Sequence, residues 1–389
     1  MPKTIKILSL FSGCGGMDLG FEGGFTVPRN SVRNPSWISS AHSDFVKLKK
    51  TGFKTVFACD IKPDAKLAWE SYFNRRGVFH NESIVDMVRN AKNGLYSFPS
   101  ADIVTGGFPC QDFSVAGKRN GFNSHKTHAN SLSDGGPSIE SRGMLYYWMR
   151  EVIDIVRPKI FVAENVKGLA SLGDAKDVIA SDFSSVGGGY LVLEPLVLHA
   201  GDYGVPQMRE RIIFIGVRKD GLSQRNIDAL TSGELSLYPD KTHSRDDMVT
   251  VRDALRGLPE PEGSEDPSHA SYSRAKWYGK HCQGQTEINM DGLGPTIRSE
   301  HHGNIEFRRL SKENGGKIID EYGLPQRRLS VRECARIQTF PDDYLFVGGG
   351  VSASNAYKLV GNAVPPLLAY HIAMRLKSSW NTIFPSERV

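Results

Sequence analysis

The sequence predicts a doubly wound, mainly parallel α/β sheet joined to a smaller, irregular, partly β domain. Three observations carry this reading. Short β-branched runs alternate with helical stretches through the first half, the pattern of a parallel sheet with crossover helices. The texture changes after Val217: residues 221–327 are rich in Pro, Gly, Ser and His and lack long periodic runs. The length of 389 residues suits roughly two domains.

The elements follow in order. Strands are predicted at Ile5–Phe11, Lys54–Asp60, Ala101–Gly106, Lys159–Glu164, Tyr190–Ala200 and Arg211–Val217. Helices are predicted between them, including Asp64–Arg75 and Met144–Val156. Pro259 to Pro267 reads as an acidic loop or linker. Regularity returns at Ser330–Gln338, where Ser330 followed by Glu333 has capping-box spacing. A last helix is expected from about Pro366 to Ser379.

Composition narrows the class. An apolar share of 39% with 23% charged residues fits an ordinary soluble globular protein. No uninterrupted apolar run reaches membrane-spanning length. The segment Met1–Leu10 is too short and too interrupted for a signal peptide, and reads as a first strand. The five cysteines form no Cys-x-x-Cys pair, which argues against a disulfide framework or structural zinc and for a reducing cytosol. The net charge is +5. Residues 26–54 carry Arg29, Arg33, Lys47, Lys49, Lys50 and Lys54 against Asp44 alone. That segment is either a solvated insertion or a contact for a polyanion.

In open α/β sheets ligands sit beyond the carboxyl ends of the strands. The first strand ends in Phe11-Ser12-Gly13-Cys14-Gly15-Gly16-Met17-Asp18-Leu19-Gly20. Such a turn lets backbone approach a ligand, yet Asp18 stands where a dinucleotide fingerprint needs its third glycine. Asp60 ends the second strand and could accept both hydroxyls of a ribose. Cys110, behind Pro109, is a candidate nucleophile. Glu164 ends the neighbouring strand and is a candidate acid. Gln207, Arg209 and Arg211 alternate, so an extended backbone would put them on one face. Taken singly, these are also a tight turn, a surface Asp, a buried thiol, a salt-bridged Glu and a solvated edge. Together they set a nucleophile, an acid, two cations and a nucleoside-type turn around one crevice.

With these segments in place, the sequence closely resembles the DNA (cytosine-5)-methyltransferase family. The resemblance rests on Phe11–Gly20, Pro109–Ser114, Glu164-Asn165-Val166, Gln207–Arg211, Arg328–Pro341 and Gly361–Pro365, in the family's order. It implies a Rossmann-like methyltransferase fold. Residues 1–220, completed by 328–389, would form the catalytic and cofactor-binding domain, and 221–327 the target-recognition domain. It implies S-adenosylmethionine held by Phe11, Ser12, Gly13, Gly15, Gly16, Asp60, Ile61, Ser83, Ile84, Pro109, Asn362 and Ala363. It also implies a cytosine flipped out of double-stranded DNA. Cys110 would add to C6, Glu164 would hold N3, and Arg211 would face the base carbonyl with Arg209 in support. DNA contacts would come from Gln111, Ser114, Lys118, Arg119, Asn165, Val166 and Gln207, and from a reading loop with Arg298, His301, His302 and Asn304.

The chain departs from the family pattern in places. Ser83 stands where an Asp usually meets the adenine amine, and Ile61 replaces a frequent aromatic. Residues 26–54 look like an insertion, and the loop from Cys110 through Gly143 looks long. His125 and His128 are expected to be solvated rather than metal ligands. The 221–327 region has 14 basic and 17 acidic residues, so only local geometry could read DNA there. The resemblance points to a monomeric, cytoplasmic modification enzyme, with a restriction endonuclease as a possible separate partner. The rivals are an RNA cytosine-5 methyltransferase and a silent DNA-binding regulator. The first lacks its Cys-Phe-Thr signature, because Gln283-Gly284 follows Cys282, and the second would have lost Cys110 or Glu164.

Overall fold

A computed structural model describes residues 4–109, 145–279, 282, 284–299, 305–317, 323–348 and 350–385. The first half runs β1 (Ile5–Leu10), α1 (Gly16–Glu22), β2 (Thr26–Pro28), β3 (Ile38–His42), β4 (Phe45–Leu48), β5 (Phe53–Cys59), α2 (Pro63–Phe73), β6 (Phe79–His80), α3 (Ile84–Lys92) and β7 (Ile103–Gly107). After residue 144 come α4 (Leu145–Val156), β8 (Ile160–Val166), α5 (Ala175–Ser184), β9 (Tyr190–Val192), β10 (Leu196–His199) and β11 (Glu210–Arg218). The remainder holds α6 (Gln224–Ser232), α7 (Val251–Leu255), α8 (Pro267–Ala270), β12 (Phe307–Arg309), β13 (Arg327–Arg328), α9 (Val331–Ile337), α10 (Ala353–Asn362) and α11 (Pro366–Ile383). Among the described residues no helix is long and apolar enough to cross a membrane.

The central sheet has the order β10-β11-β8-β7-β1-β5-β6, with β9 also on β11. Strands β6, β5, β1, β7 and β8 are parallel; β11 runs antiparallel to them, and β10, antiparallel to β11, runs in their direction again. Period-two alternation splits the core between the two faces. Ile5 and Ile7 join α1, α2 and α11 on one face, while Leu8 and Leu10 join α3, α4 and α5 on the other. Burial on both faces explains the near-continuous apolar runs of the parallel strands. The carboxyl ends of β1, β5, β7 and β8 therefore open on one edge.

The last helix closes the first. A Cβ on Gly20 would stand 2.3 Å from the Pro366 carbonyl oxygen and 2.4 Å from Ala369 Cβ. Only glycine permits that approach of α1 to α11. The Cys14 thiol reaches the Leu359 carbonyl at 3.4 Å, across 345 residues of chain.

One segment differs from its sequence reading, and two others gain a definite structure. The strand predicted over 190–200 is two strands, β9 and β10, each antiparallel to β11. Pro195 has no N–H for the ladder, so the strand breaks around it. The basic 26–54 segment is a three-stranded sheet of order β2-β4-β3. Val46 and Leu48 are buried in the α11 side of the core, Arg33 pairs with Asp247 at 2.7 Å, and Arg256 pairs with Asp44 at 2.8 Å. The acidic 259–267 stretch is no free linker. Arg309 and Arg327 grip Glu260 at 2.6 and 2.9 Å, and Asp266 caps α8 while pairing with Arg332. Burial pushes the Glu260 carboxyl up, and the two guanidinium groups outweigh it and hold it at about 2.

Candidate active site

The turn after β1 is shaped by positive φ angles at Phe11 (51°), Gly13 (52°) and Gly15 (80°). Ser12 ties it to the sheet. Its hydroxyl accepts from the Cys59 N–H at 3.1 Å and donates toward Ser9, while its N–H donates to the Cys59 carbonyl at 2.9 Å. Gly15 lies against Trp69, and Gly16 lies against the Val364 carbonyl. Gly13 faces open space, so this backbone is available to a ligand. Asp60 accepts from the Gly13 N–H at 3.0 Å and the Lys62 N–H at 2.9 Å. Burial raises its pKa, and these donors oppose the rise. The carboxylate is thus aimed by backbone, with further lone pairs left for ligand hydroxyls.

A cleft of about 920 Å³ opens on this turn. Phe11, Ser12, Gly13, Gly16, Asp60, Ile61, Ile84, Pro109, Asn362 and Ala363 line it, together with Glu164, Val166, Arg209, Arg211 and Arg298. At its far end Arg211 Nε donates to Glu164 Oε1 at 2.6 Å. Strand register explains the pair. Ile213 faces Glu164 across β11 and β8, so Arg211 is its diagonal neighbour on the same face. Glu164 is 7% exposed. Gly107, its partner on β7, makes room: a Cβ there would stand 2.8 Å from Glu164 Oε2. Asn165 points the other way. Its amide donates to the Phe108 carbonyl at 3.1 Å and its oxygen accepts from the Val166 N–H at 2.8 Å. It holds the chain just ahead of Pro109 and does not line the cleft.

Gln207 and Arg209 also differ from expectation, because both side chains are fully buried. Gln207 accepts from the Ile297 N–H at 3.1 Å and donates to Gln338 at 2.8 Å. Arg209 donates to the carbonyls of Ile297 (3.0 Å), Gly361 (3.0 Å) and Ala363 (2.8 Å). One planar guanidinium therefore bridges the 297 segment to the turn after α10. Gly361 allows the crossing, since a Cβ would meet Arg298 backbone at 2.2 Å. Arg209 and Gln207 fix the walls of the cleft, and Arg211 is the cation placed beside Glu164.

A buried carboxyl paired with an arginine, facing a glycine turn with a backbone-aimed Asp, can bind a nucleoside-type group and a polar ring in one cavity. Comparison with known proteins decides the class. A family profile described as C-5 cytosine-specific DNA methylase matches residues 5–378. The chain belongs to that family. Two relatives are named Type II methyltransferases. M.BsuRI of Bacillus subtilis is 35% identical over 389 residues, covering 95% of this chain and 78% of the relative. M.MthTI of Methanothermobacter thermautotrophicus is 30% identical, covering 96% and 97%. In fold, the chain is similar to the Dnmt2 methyltransferase of S. pombe, with TM-score 0.58, 16% identity and coverage of 96% and 99%. It is likewise similar to EhMeth of Entamoeba histolytica, with TM-score 0.59, 13% identity and coverage of 97% and 99%.

As a cytosine-5 methylase, the chain brings most of its predicted described residues to one cleft. Gly15 and Ser83 do not line it; Ser83 is the N-cap of α3. Cys110, Gln111, Ser114, Lys118, Arg119, His125, His128, His301, His302 and Asn304 lie outside the described residues. The sequence reading missed Glu82, Gly107 and Met208, and placed Thr296 only at the start of the reading loop that runs to Asn304. Glu82 lines the cleft beside Ile84, and Thr296 donates to the Met208 carbonyl at 2.6 Å. Position next to Asp60's strand partner and inside the Gln207–Arg211 segment was the available signal for Glu82 and Met208.

Proposed function

We propose that this chain transfers a methyl group from S-adenosylmethionine to C5 of a cytosine extruded from a short, specific double-stranded DNA sequence. The observation that carries this reading is the Glu164–Arg211 pair in the same cleft as the Gly13–Asp60 turn. Its role is the modification half of a restriction–modification pair, a reading supported by relatives named Type II methyltransferases. Residues 1–220 with 328–389 are the catalytic and donor-binding domain, and 221–327 the target-recognition domain.

The donor half suits S-adenosylmethionine. Asp60 would take the ribose hydroxyls, Ile61 would lie on the adenine, and the open backbone at Gly13 would receive the amino-acid end. The donor supplies a methyl group made electrophilic by its sulfonium. The chain's own residues prepare the base. Cytosine C5 is a poor nucleophile while the ring is aromatic. The Cys110 thiolate adds to C6 and makes C5 enamine-like. Glu164 holds N3 and the exocyclic amine as charge develops, and Arg211 faces the ring carbonyl. After methylation, loss of the C5 proton and expulsion of the thiolate restore the ring.

The test is bisulfite sequencing of a methylation-free bacterium expressing the protein, beside a Cys110→Ser control. One short motif protected only by the wild type is expected. Soluble wild-type protein with no protected motif overturns the reading.

A further inference from the structure

The glycine turn after β1 has a front and a back. Gly13 faces open space, whereas a Cβ on Gly15 would stand 2.6 Å from Trp69 Cδ1 and 3.0 Å from Trp69 Nε1. The indole edge is therefore seated against the back of the turn. Two contacts set its orientation. Trp69 Nε1 donates to Asp18 Oδ2 at 2.9 Å, and the ring stacks on Phe73 with centroids 4.4 Å apart. Asp18 follows Gly15, the N-cap of α1, by three residues, so both lie on one side of that helix start. Thr55 of β5 donates to its other oxygen at 3.4 Å. Trp69 is fully buried and Asp18 is 1% exposed. An apolar pair of similar volume would fill this space with no carboxyl to desolvate, so packing alone does not account for the two residues.

Trp69 and Asp60 belong to one β5–α2 unit, which holds the turn from both sides. Asp60 accepts from the Gly13 N–H at 3.0 Å, and Trp69 backs Gly15. Asp60 and Gly13 line the cleft, but no residue of α2 does. We propose that Asp18 and Trp69 are a positioning pair for the methyl donor, whose hydrogen bond fixes the indole behind Gly15 and so sets the Gly13 backbone against Asp60. The inference rests on the donor-binding reading of this cleft. A ligand that engages the turn and Asp60 together binds more tightly when the two are already in register, because less ordering remains to be done on binding. Without the N–H to carboxylate bond the indole can tilt, and the turn loses its backing. Neither side chain touches the donor; both act through Gly15.

The experiment is calorimetric titration with S-adenosylhomocysteine, the demethylated form of the donor, beside thermal unfolding and anisotropy with duplex DNA. Trp69→Phe keeps an aromatic ring and loses the N–H. Asp18→Ala loses the acceptor, and Asp18→Asn keeps one oxygen for the indole. Trp69→Phe and Asp18→Ala are each expected to weaken binding on the order of ten-fold, and the double variant no more than either alone. Asp18→Asn should recover most of the affinity, and DNA affinity should not move in any variant. Hydrogen exchange on the wild type gives a reading that needs no variant to fold: adding S-adenosylhomocysteine should protect α2 around Trp69 as well as residues 12–16. Unchanged affinity in folded Trp69→Phe, losses that add in the double variant, or protection confined to residues 12–16 overturns the pair. A wild type that binds no S-adenosylhomocysteine overturns the donor reading itself, and the pair with it.

Discussion

Arg211 Nε and Glu164 Oε1 are 2.6 Å apart, on adjacent antiparallel strands whose register makes them diagonal neighbours. Each holds the other at the end of the sheet where the donor turn also opens. Glu164→Gln keeps an oxygen for Arg211 but loses the carboxyl group's negative charge and its general-acid capacity. Its kcat should fall roughly 10²- to 10⁴-fold, with DNA and donor affinity little changed. Rapid-quench kinetics and titration calorimetry separate the two effects.

Gly107→Ala tests the room behind that carboxylate. The new methyl would sit 2.8 Å from Glu164 Oε2, and the carboxylate is the end of a flexible side chain that can yield. Stability should stay within about 1 kcal/mol, while single-turnover methylation falls by about ten-fold or more. Unchanged methylation would mean that Glu164 tolerates displacement.

Arg209→Lys probes the buried bridge. A lysine cannot span the carbonyls of Ile297, Gly361 and Ala363 with one planar fork. Leaving buried carbonyls unpaired should cost about 2–4 kcal/mol, read from urea unfolding. Donor affinity should drop as well, because Asn362 and Ala363 line the cleft.

Asp18 gives a pH dependence. It is buried on α1, where Trp69 Nε1 donates to it at 2.9 Å and Thr55 at 3.4 Å. Burial raises its carboxyl to about 6, against an ordinary 3.8. Between those values the folded state binds the proton and the unfolded state does not, so stability falls as pH rises through this window. Asp18→Asn should flatten that slope and stabilise the protein above pH 6 by at most about 3 kcal/mol. Chemical denaturation at pH 4, 6 and 8 checks it. A slope identical to wild type would remove Asp18 as its source.

Local patterns were legible and long-range ones were not. Ser330 and Glu333 exchange both capping-box hydrogen bonds, at 3.1 and 2.7 Å, as their spacing implies. Glu164, Asp60 and the 11–16 turn stand at strand ends because strand–helix alternation fixes where strands stop. Period-two alternation correctly separated Gln207 and Arg209 from Met208. It could not say which side faced inward, since a parallel bridge to Gly294 decides that. Charge pairing was illegible for the same reason. Glu260 finds Arg309 and Arg327, and Arg33 finds Asp247, only after distant segments meet. Nor does a sequence state that Gly361 clears a path for Arg298 backbone.

The closure of α1 by α11 bears on when the enzyme can first act. Gly16 and Gly20 are covered by Val364, Pro366 and Ala369, and Cys14 meets Leu359 across 345 residues. A chain emerging from the ribosome carries its donor turn well before that turn's wall. Contacts of such separation form late, after the intervening chain has been synthesised. A half-made polypeptide therefore has no finished cleft and marks no DNA, so methylation begins only when translation has passed the last helix.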